Sequence, residues 1–135
     1  KGTQFVDPVL RKLDDAGKIE YVCPESVPHS EMRSLVHDVD IVVDQLLAGS
    51  YGVAAIESMS AGRVTVGRLA PPVLDLMPEV PPIVQATPDE LEETIVTIVE
   101  NRDHYRRLGR EGISFAHVWH SGKASATALR SYLAR

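Results

Sequence analysis

Residues 40–67, DIVVDQLLAGSYGVAAIESMSAGRVTVG, constrain the fold more tightly than any other part of the chain. Two short β-branched runs, 41–43 and 64–66, enclose a helix-like stretch that ends at Gly62. Apolar runs of this length, without alternation, suit strands covered on both faces. A connection that contains a helix is not a hairpin, so the two strands are expected to run parallel in one sheet. The first strand does not pass directly into the helix. It breaks into Ala48-Gly49-Ser50-Tyr51-Gly52, a loop with two glycines three positions apart.

The flanking sequence repeats the strand–helix alternation. A helix over 7–16 has Asp7 as cap, Pro8 in its first turn, Leu10 and Leu13 in its apolar stripe and Gly17 as its stop. Residues 19–23 read as a strand. A helix over 30–38 starts at Ser30 as N-cap and carries Met32, Leu35, Val36 and Val39 at i, i+3, i+4 and i+7. After the central unit (strand 40–44, helix 52–61, strand 64–67), five prolines make 70–82 mostly loop, with a turn of helix at 73–77. A strand over 83–85 precedes a helix from Thr87-Pro88 to Asn101. A further helix over 103–117 is weakened by Gly109 and Gly112, where a kink is expected, and a last helix covers 121–134. The expected fold is α/β: a doubly wound, Rossmann-like parallel sheet of at least four strands with right-handed crossovers.

At 135 residues the chain suits one domain, 1–135, and 44% hydrophobic residues suffice for a core. The net charge of −5 argues against nonspecific binding to nucleic acid and against docking on an anionic membrane surface. A single cysteine, Cys23, makes no internal disulfide, which points to the reducing cytoplasm. No apolar run approaches the roughly 18 residues of a membrane span, and no signal peptide is visible. The first residue is Lys1 and not methionine, so the chain reads as a fragment of a longer protein.

In open parallel sheets ligands sit beyond the carboxyl ends of the strands, at helix N-termini. The 48–52 loop is that place. Gly49 and Gly52 present no side chain to block close approach of a ligand to the backbone. The helix that follows directs free N–H groups and the positive end of its dipole there, which suits a phosphate. The competing reading is a tight βα turn. Neither G-x-G-x-x-G nor a Walker sequence is present. Glu57, five residues after Gly52, lies among Ala54, Ala55 and Ile56. Its carboxylate can accept two hydrogen bonds from the cis-diol of a ribose, or it is a solvated helix glutamate.

Residues 49–67, with this spacing, resemble the donor-binding motif of retaining GT-B glycosyltransferases of the family 4 type, roughly E-x-F-G-x-x-x-x-E-A-M-A-x-G-x-P-V-V. Gly52, Glu57, Met59 and Gly62 fall in register, and Ser58-Met59-Ser60-Ala61-Gly62 is a conservative version of the motif interior. The opening Lys1-Gly2 resembles the family's Lys-Gly, and the closing helices are similar as well. Two departures stand out. Gly49 occupies the position of the family's first glutamate, which contacts the donor sugar, and Arg63-Val64-Thr65-Val66 lacks the usual proline. A subgroup with a DQLL-G-YG stretch before the same glutamate is also similar to this chain.

The resemblance implies one half of a GT-B fold that binds a nucleotide sugar, a UDP- or GDP-sugar, and no metal or other cofactor. Lys1 would neutralise the leaving diphosphate as the catalytic cation. Gly49, Ser50, Tyr51, Gly52 and Val53 would line the phosphates and sugar, and Glu57 would hold the ribose. The acceptor, a glycan or glycolipid, would belong to a missing N-terminal domain, through which peripheral membrane association is also conceivable.

Two other readings remain open. Ser50, in Ala48-x-Ser50-x-Gly52, fits a nucleophile elbow with His117 or His120 as base and Asp75 or Asp89 as orienter. Alternatively, Gly49 marks a noncatalytic, degenerate binding module. His117 and His120, three apart, are a weak zinc pattern and read first as a helix end. Asp38, Asp40 and Asp44 read as solvated strand ends, although Asp44-Gln45 lies close to the expected site.

Overall fold

The computed structural model describes residues 2–24 and 27–133. The protein is α/β. Three parallel strands, β1 (Ile41–Val43), β2 (Val64–Gly67) and β3 (Ile83–Gln85), lie side by side in the order β1-β2-β3. Val42 is level with Thr65, and Thr65 with Ile83. All four residues of the central strand β2 are buried, whereas β1 is only half-buried. That difference explains why β2 has no solvent-facing polar residue.

Helices cover both faces of the sheet. Val64 and Val66 point into a core shared with Leu10 and Leu13 of α1 (Thr3–Asp15) and with Leu91, Ile95 and Ile98 of α5 (Leu91–Glu100). Thr65 and Ile83 point the other way. Ile83 joins Ala55 and Met59 of α3 (Val53–Ser60) and Phe115 and Ala116 of α6 (Arg102–His120). Thr65 places a hydroxyl in an otherwise apolar layer, and the Ser58 hydroxyl of α3 satisfies it at 2.7 Å. The remaining helices are α2 (His29–Asp38), α4 (Pro71–Leu74) and α7 (Lys123–Leu133). Among the described residues no helix is long and apolar enough to cross a membrane.

Several expectations need correction. Residues 19–23 form no strand, so among the described residues the sheet has three strands and not four. The segment does have a strand's alternation, with Ile19 and Tyr21 on the α1/α5 core and Glu20 and Val22 exposed. Its side chains tie it to α1 and not to a ladder. The Tyr21 hydroxyl donates to Asp7 at 3.1 Å, and the Arg11 guanidinium lies 5.8 Å from the Tyr21 ring centre.

Helix α1 starts at Thr3, so Pro8 is an interior residue and not a first-turn one. The Gly2 carbonyl receives the amides of Phe5 and Val6 at 2.9 and 3.2 Å, which opens the helix upstream of the proline. Its stop at Gly17 is as expected: φ is +68°, and the Lys18 amide reaches back to the Leu13 carbonyl at 3.0 Å. Helix α2 begins at His29, so Ser30 is not its cap. Helix α5 begins only at Leu91; residues 88–90 form a turn, across which the Thr87 amide and hydroxyl donate to the Glu90 carboxylate (3.0 and 2.8 Å).

Helix α6 is unbroken through Gly109 and Gly112. A Cβ on Gly109 would come within 2.7 Å of the Gly62 carbonyl oxygen, and one on Gly112 within 3.0 Å of Met59. These glycines let α6 lie directly on α3 and its exit turn. They are packing positions and not a kink.

Candidate functional site

The chain leaves β1 at its carboxyl end and does not reach α3 until Val53. The intervening loop is fastened to the other strand ends. The Asp44 amide donates to the Val66 carbonyl (2.9 Å). The Gln45 and Gly49 carbonyls accept the amides of Arg68 (2.9 Å) and Ala70 (2.8 Å). The Gln85 side-chain oxygen accepts the Leu69 amide (2.8 Å). Leu46, fully buried, pins the loop from beneath. The loop and the 68–70 segment therefore form a single edge above all three strands.

The two loop glycines answer different demands. Gly49 has φ +72°, and a Cβ there would lie 3.1 Å from the Ala70 methyl. It is required both for backbone conformation and for space. Gly52 has φ −106° and ψ −172°, extended geometry open to any residue. A Cβ at Gly52 would instead lie 2.7 Å from the Gln45 side-chain nitrogen, so Gly52 makes room for the Gln45 amide group. Gly52 is also the N-cap of α3, and its amide donates to the Asp44 carboxylate at 2.9 Å. Asp44 is therefore not the solvated strand end expected from sequence. It turns inward because an uncapped amide at the positive end of α3 attracts the nearest carboxylate. The amides of Val53 and Ala54 follow in the first turn, where no intrahelical acceptor exists.

The start of α1 meets the same edge. Gly2, in left-handed geometry at φ +94°, has the Leu47 side chain 3.3 Å from the position of an added Cβ. Lys1 lies outside the described residues. Glu57 is half-buried on α3, about 7.5 Å along the axis from Gly52. It lies on the side of the helix away from buried Ala55, Ser58 and Met59. Among the described residues, no hydrogen bond or ion pair engages its carboxylate.

Tyr51 is drawn into the body of the protein. Its hydroxyl lies 2.9 Å from His120 Nε2, and its ring packs edge-on against Phe115 and His120 at 6.5 and 5.6 Å. Burial pushes the Tyr51 phenol pKa up and the His120 imidazole pKa down. Both directions favour a neutral pair in which the phenol donates and the imidazole accepts. Tyr51 thus ties the loop to the end of α6. Ser50 is exposed and has no hydrogen bond to a histidine among the described residues. His120 is engaged by Tyr51, so the base–nucleophile contact of an elbow is not formed. His117, Asp75 and Asp89 are exposed, and no group of three or more His, Cys, Asp or Glu side chains gathers among the described residues.

The structure therefore brings Gly2, Gly49, Ser50, Gly52 and Val53 to one end of the sheet, turns Tyr51 inward and leaves Glu57 past the midpoint of α3. It adds Asp44 and Gln45, which the sequence motif does not include. The only hint of them in the sequence was their place at the end of β1, next to the loop. Two cavities lie elsewhere: an apolar one of about 170 Å³ beside Leu13, Ile19, Ile95 and Val99, and one of about 300 Å³ beside Glu79, Glu111 and Phe115. Neither of these cavities is lined by residues of the 44–52 loop.

The chain matches no protein-family model, no curated protein and no solved structure.

Proposed function

We propose that this chain is the donor-binding half of a retaining GT-B glycosyltransferase of the family 4 type, with a doubly wound, Rossmann-like core. One observation supports this above the rest. Gly2, distant in sequence, meets the 44–52 loop at Leu47, at the carboxyl edge of a parallel sheet where the N-terminus of α3 also opens.

In this reading the donor is a UDP- or GDP-sugar. Its diphosphate lies against the first-turn amides of α3, and Lys1 supplies the compensating positive charge. Glu57 accepts the two ribose hydroxyls. Catalysis consists mainly of stabilising negative charge as the diphosphate leaves, and the chemistry calls for no metal. A glycan or glycolipid acceptor is held by a separate N-terminal domain, and the enzyme works in the cytoplasm. The left-handed backbone of Gly49 favours this over a decayed, noncatalytic module. A glycine in that conformation is built into the loop, whereas a lost glutamate would leave ordinary backbone behind.

The test is calorimetric titration with UDP, GDP and ADP. Glu57→Gln should weaken the preferred nucleotide by about tenfold, the worth of a charge-assisted hydrogen bond. Its melting temperature should stay at the parent value. No binding of any of the three, or equal affinity in the variant, would count against the assignment.

A further inference from the structure

Two side chains at this edge have hydrogen-bonding atoms to spare. The Asp44 carboxylate uses Oδ2 for the Gly52 amide. Both its oxygens, at 3.6 and 3.7 Å, and the Gln45 side-chain nitrogen, at 2.7 Å, converge on the point where a Cβ of residue 52 would stand. Among the described residues neither Asp44 Oδ1 nor the Gln45 amide group has a hydrogen-bond partner. Both side chains are half-buried, so their partly desolvated polar atoms gain from a ligand that supplies partners. Together they offer carboxylate acceptors, an amide donor and an amide acceptor over the mouth of α3.

We infer that Asp44 and Gln45 select the sugar of the donor, and that they select an uncharged one with adjacent hydroxyl groups. This inference rests on the donor-domain reading above. A sugar hydroxyl can donate to Asp44 Oδ1 while its neighbour exchanges hydrogen bonds with the Gln45 amide, as a carboxylate and an amide side by side permit. A second anion at this point is disfavoured, because it would face a carboxylate at close range in a half-buried setting. The diphosphate is therefore displaced from the Gly52 amide toward the amides of Val53 and Ala54, and the sugar takes the place over Gly52. A side chain at residue 52 would remove that place by displacing Gln45. Asp44 thus acts both as the cap of α3 and as a discriminator against charged sugars.

The 135-residue chain is titrated with UDP and GDP, each bare and carrying a neutral hexose, and with UDP-glucuronate as the charged counterpart. The neutral hexose should tighten binding about tenfold over the bare nucleotide, and the glucuronate should add nothing. Asp44→Asn keeps an oxygen to cap Gly52 but removes the charge. Gln45→Ala leaves the cap intact. Each should erase the hexose advantage; bare nucleotide affinity should change by no more than about twofold in Gln45→Ala and should not fall in Asp44→Asn, which removes the carboxylate charge beside the diphosphate. If the hexose advantage persists in both variants, is absent in the parent, or is matched by the glucuronate, the sugar assignment is overturned and the donor-domain reading stands. If no nucleotide binds, with or without sugar, the donor-domain reading itself fails and this inference fails with it.

Discussion

Two pairs of glycines in this chain have the same spacing, Gly49-x-x-Gly52 and Gly109-x-x-Gly112. They do different physical work. The α6 pair is buried, and its missing side chains are replaced by the backbone of the Gly62 turn and by Met59. The loop pair is half-buried at the sheet edge, where one glycine is required for its conformation and the other for the space left to Gln45. Close approach of backbone to backbone explains the first pair. In the second pair the close neighbours are side chains, the Ala70 methyl and the Gln45 amide, at the exposed edge of the sheet. A glycine pair therefore has no meaning apart from what stands where its Cβ atoms would be.

Substitutions can break or sharpen this contrast. The largest effect is expected at Gly109, where an added methyl meets a backbone carbonyl oxygen that cannot swing aside. Gly109→Ala should cost about 1–3 kcal/mol through overpacking, despite alanine's better helix propensity, and Gly109→Val more. Thermal or urea unfolding reads this directly, and an unchanged midpoint would deny that α6 rests on the Gly62 turn. Next comes Gly49→Glu. Left-handed backbone at a residue with a Cβ costs about 1–2 kcal/mol, and the Ala70 methyl must also give way. Such a variant should lose stability and binding together, whereas a decayed site would merely regain a sugar contact.

A smaller effect concerns Tyr51 and His120. Burial holds the folded-state pKa of His120 below its ordinary 6.5, so the unfolded chain binds this proton more readily. The stability it contributes is fully present above about pH 6.5 and is lost as pH falls through the lowered folded value. His120→Gln should flatten the stability–pH curve in that acidic window, as followed by melting temperature against pH. The smallest effect on stability is expected at Gly52. Its φ of −106° suits any residue, and the nearest obstacle is the end of the flexible Gln45 side chain. Gly52→Val should therefore shift stability by less than about 1 kcal/mol, since no backbone strain arises there.

The sequence made the central βαβ unit legible because each of its signals was local. The β-branched runs lie within β1 and β2, and Gly62 with φ +71° closes the turn after α3. Errors arose where the deciding partner is distant. Alternation in 19–23 revealed one buried face but not the absence of a ladder, because Tyr21 is claimed by Asp7. Helix propensity marked Gly109 and Gly112 as weak points, and tertiary contact with α3 reversed that meaning. For the site, the motif spacing picked out Gly52 and Glu57, whereas Asp44 needed the folded loop, since its partner amide lies eight residues away.

The most direct measurement of the central claim is the affinity of Gly52→Val for a UDP- or GDP-hexose beside the parent, by calorimetry, with melting temperatures taken on the same samples. If the edge is a donor site, the variant stays folded with a near-parental melting temperature and loses most of its affinity for the nucleotide sugar. A folded Gly52→Val protein that binds the nucleotide sugar as tightly as the parent would mean that the loop is only a turn, and the donor-site account would be wrong.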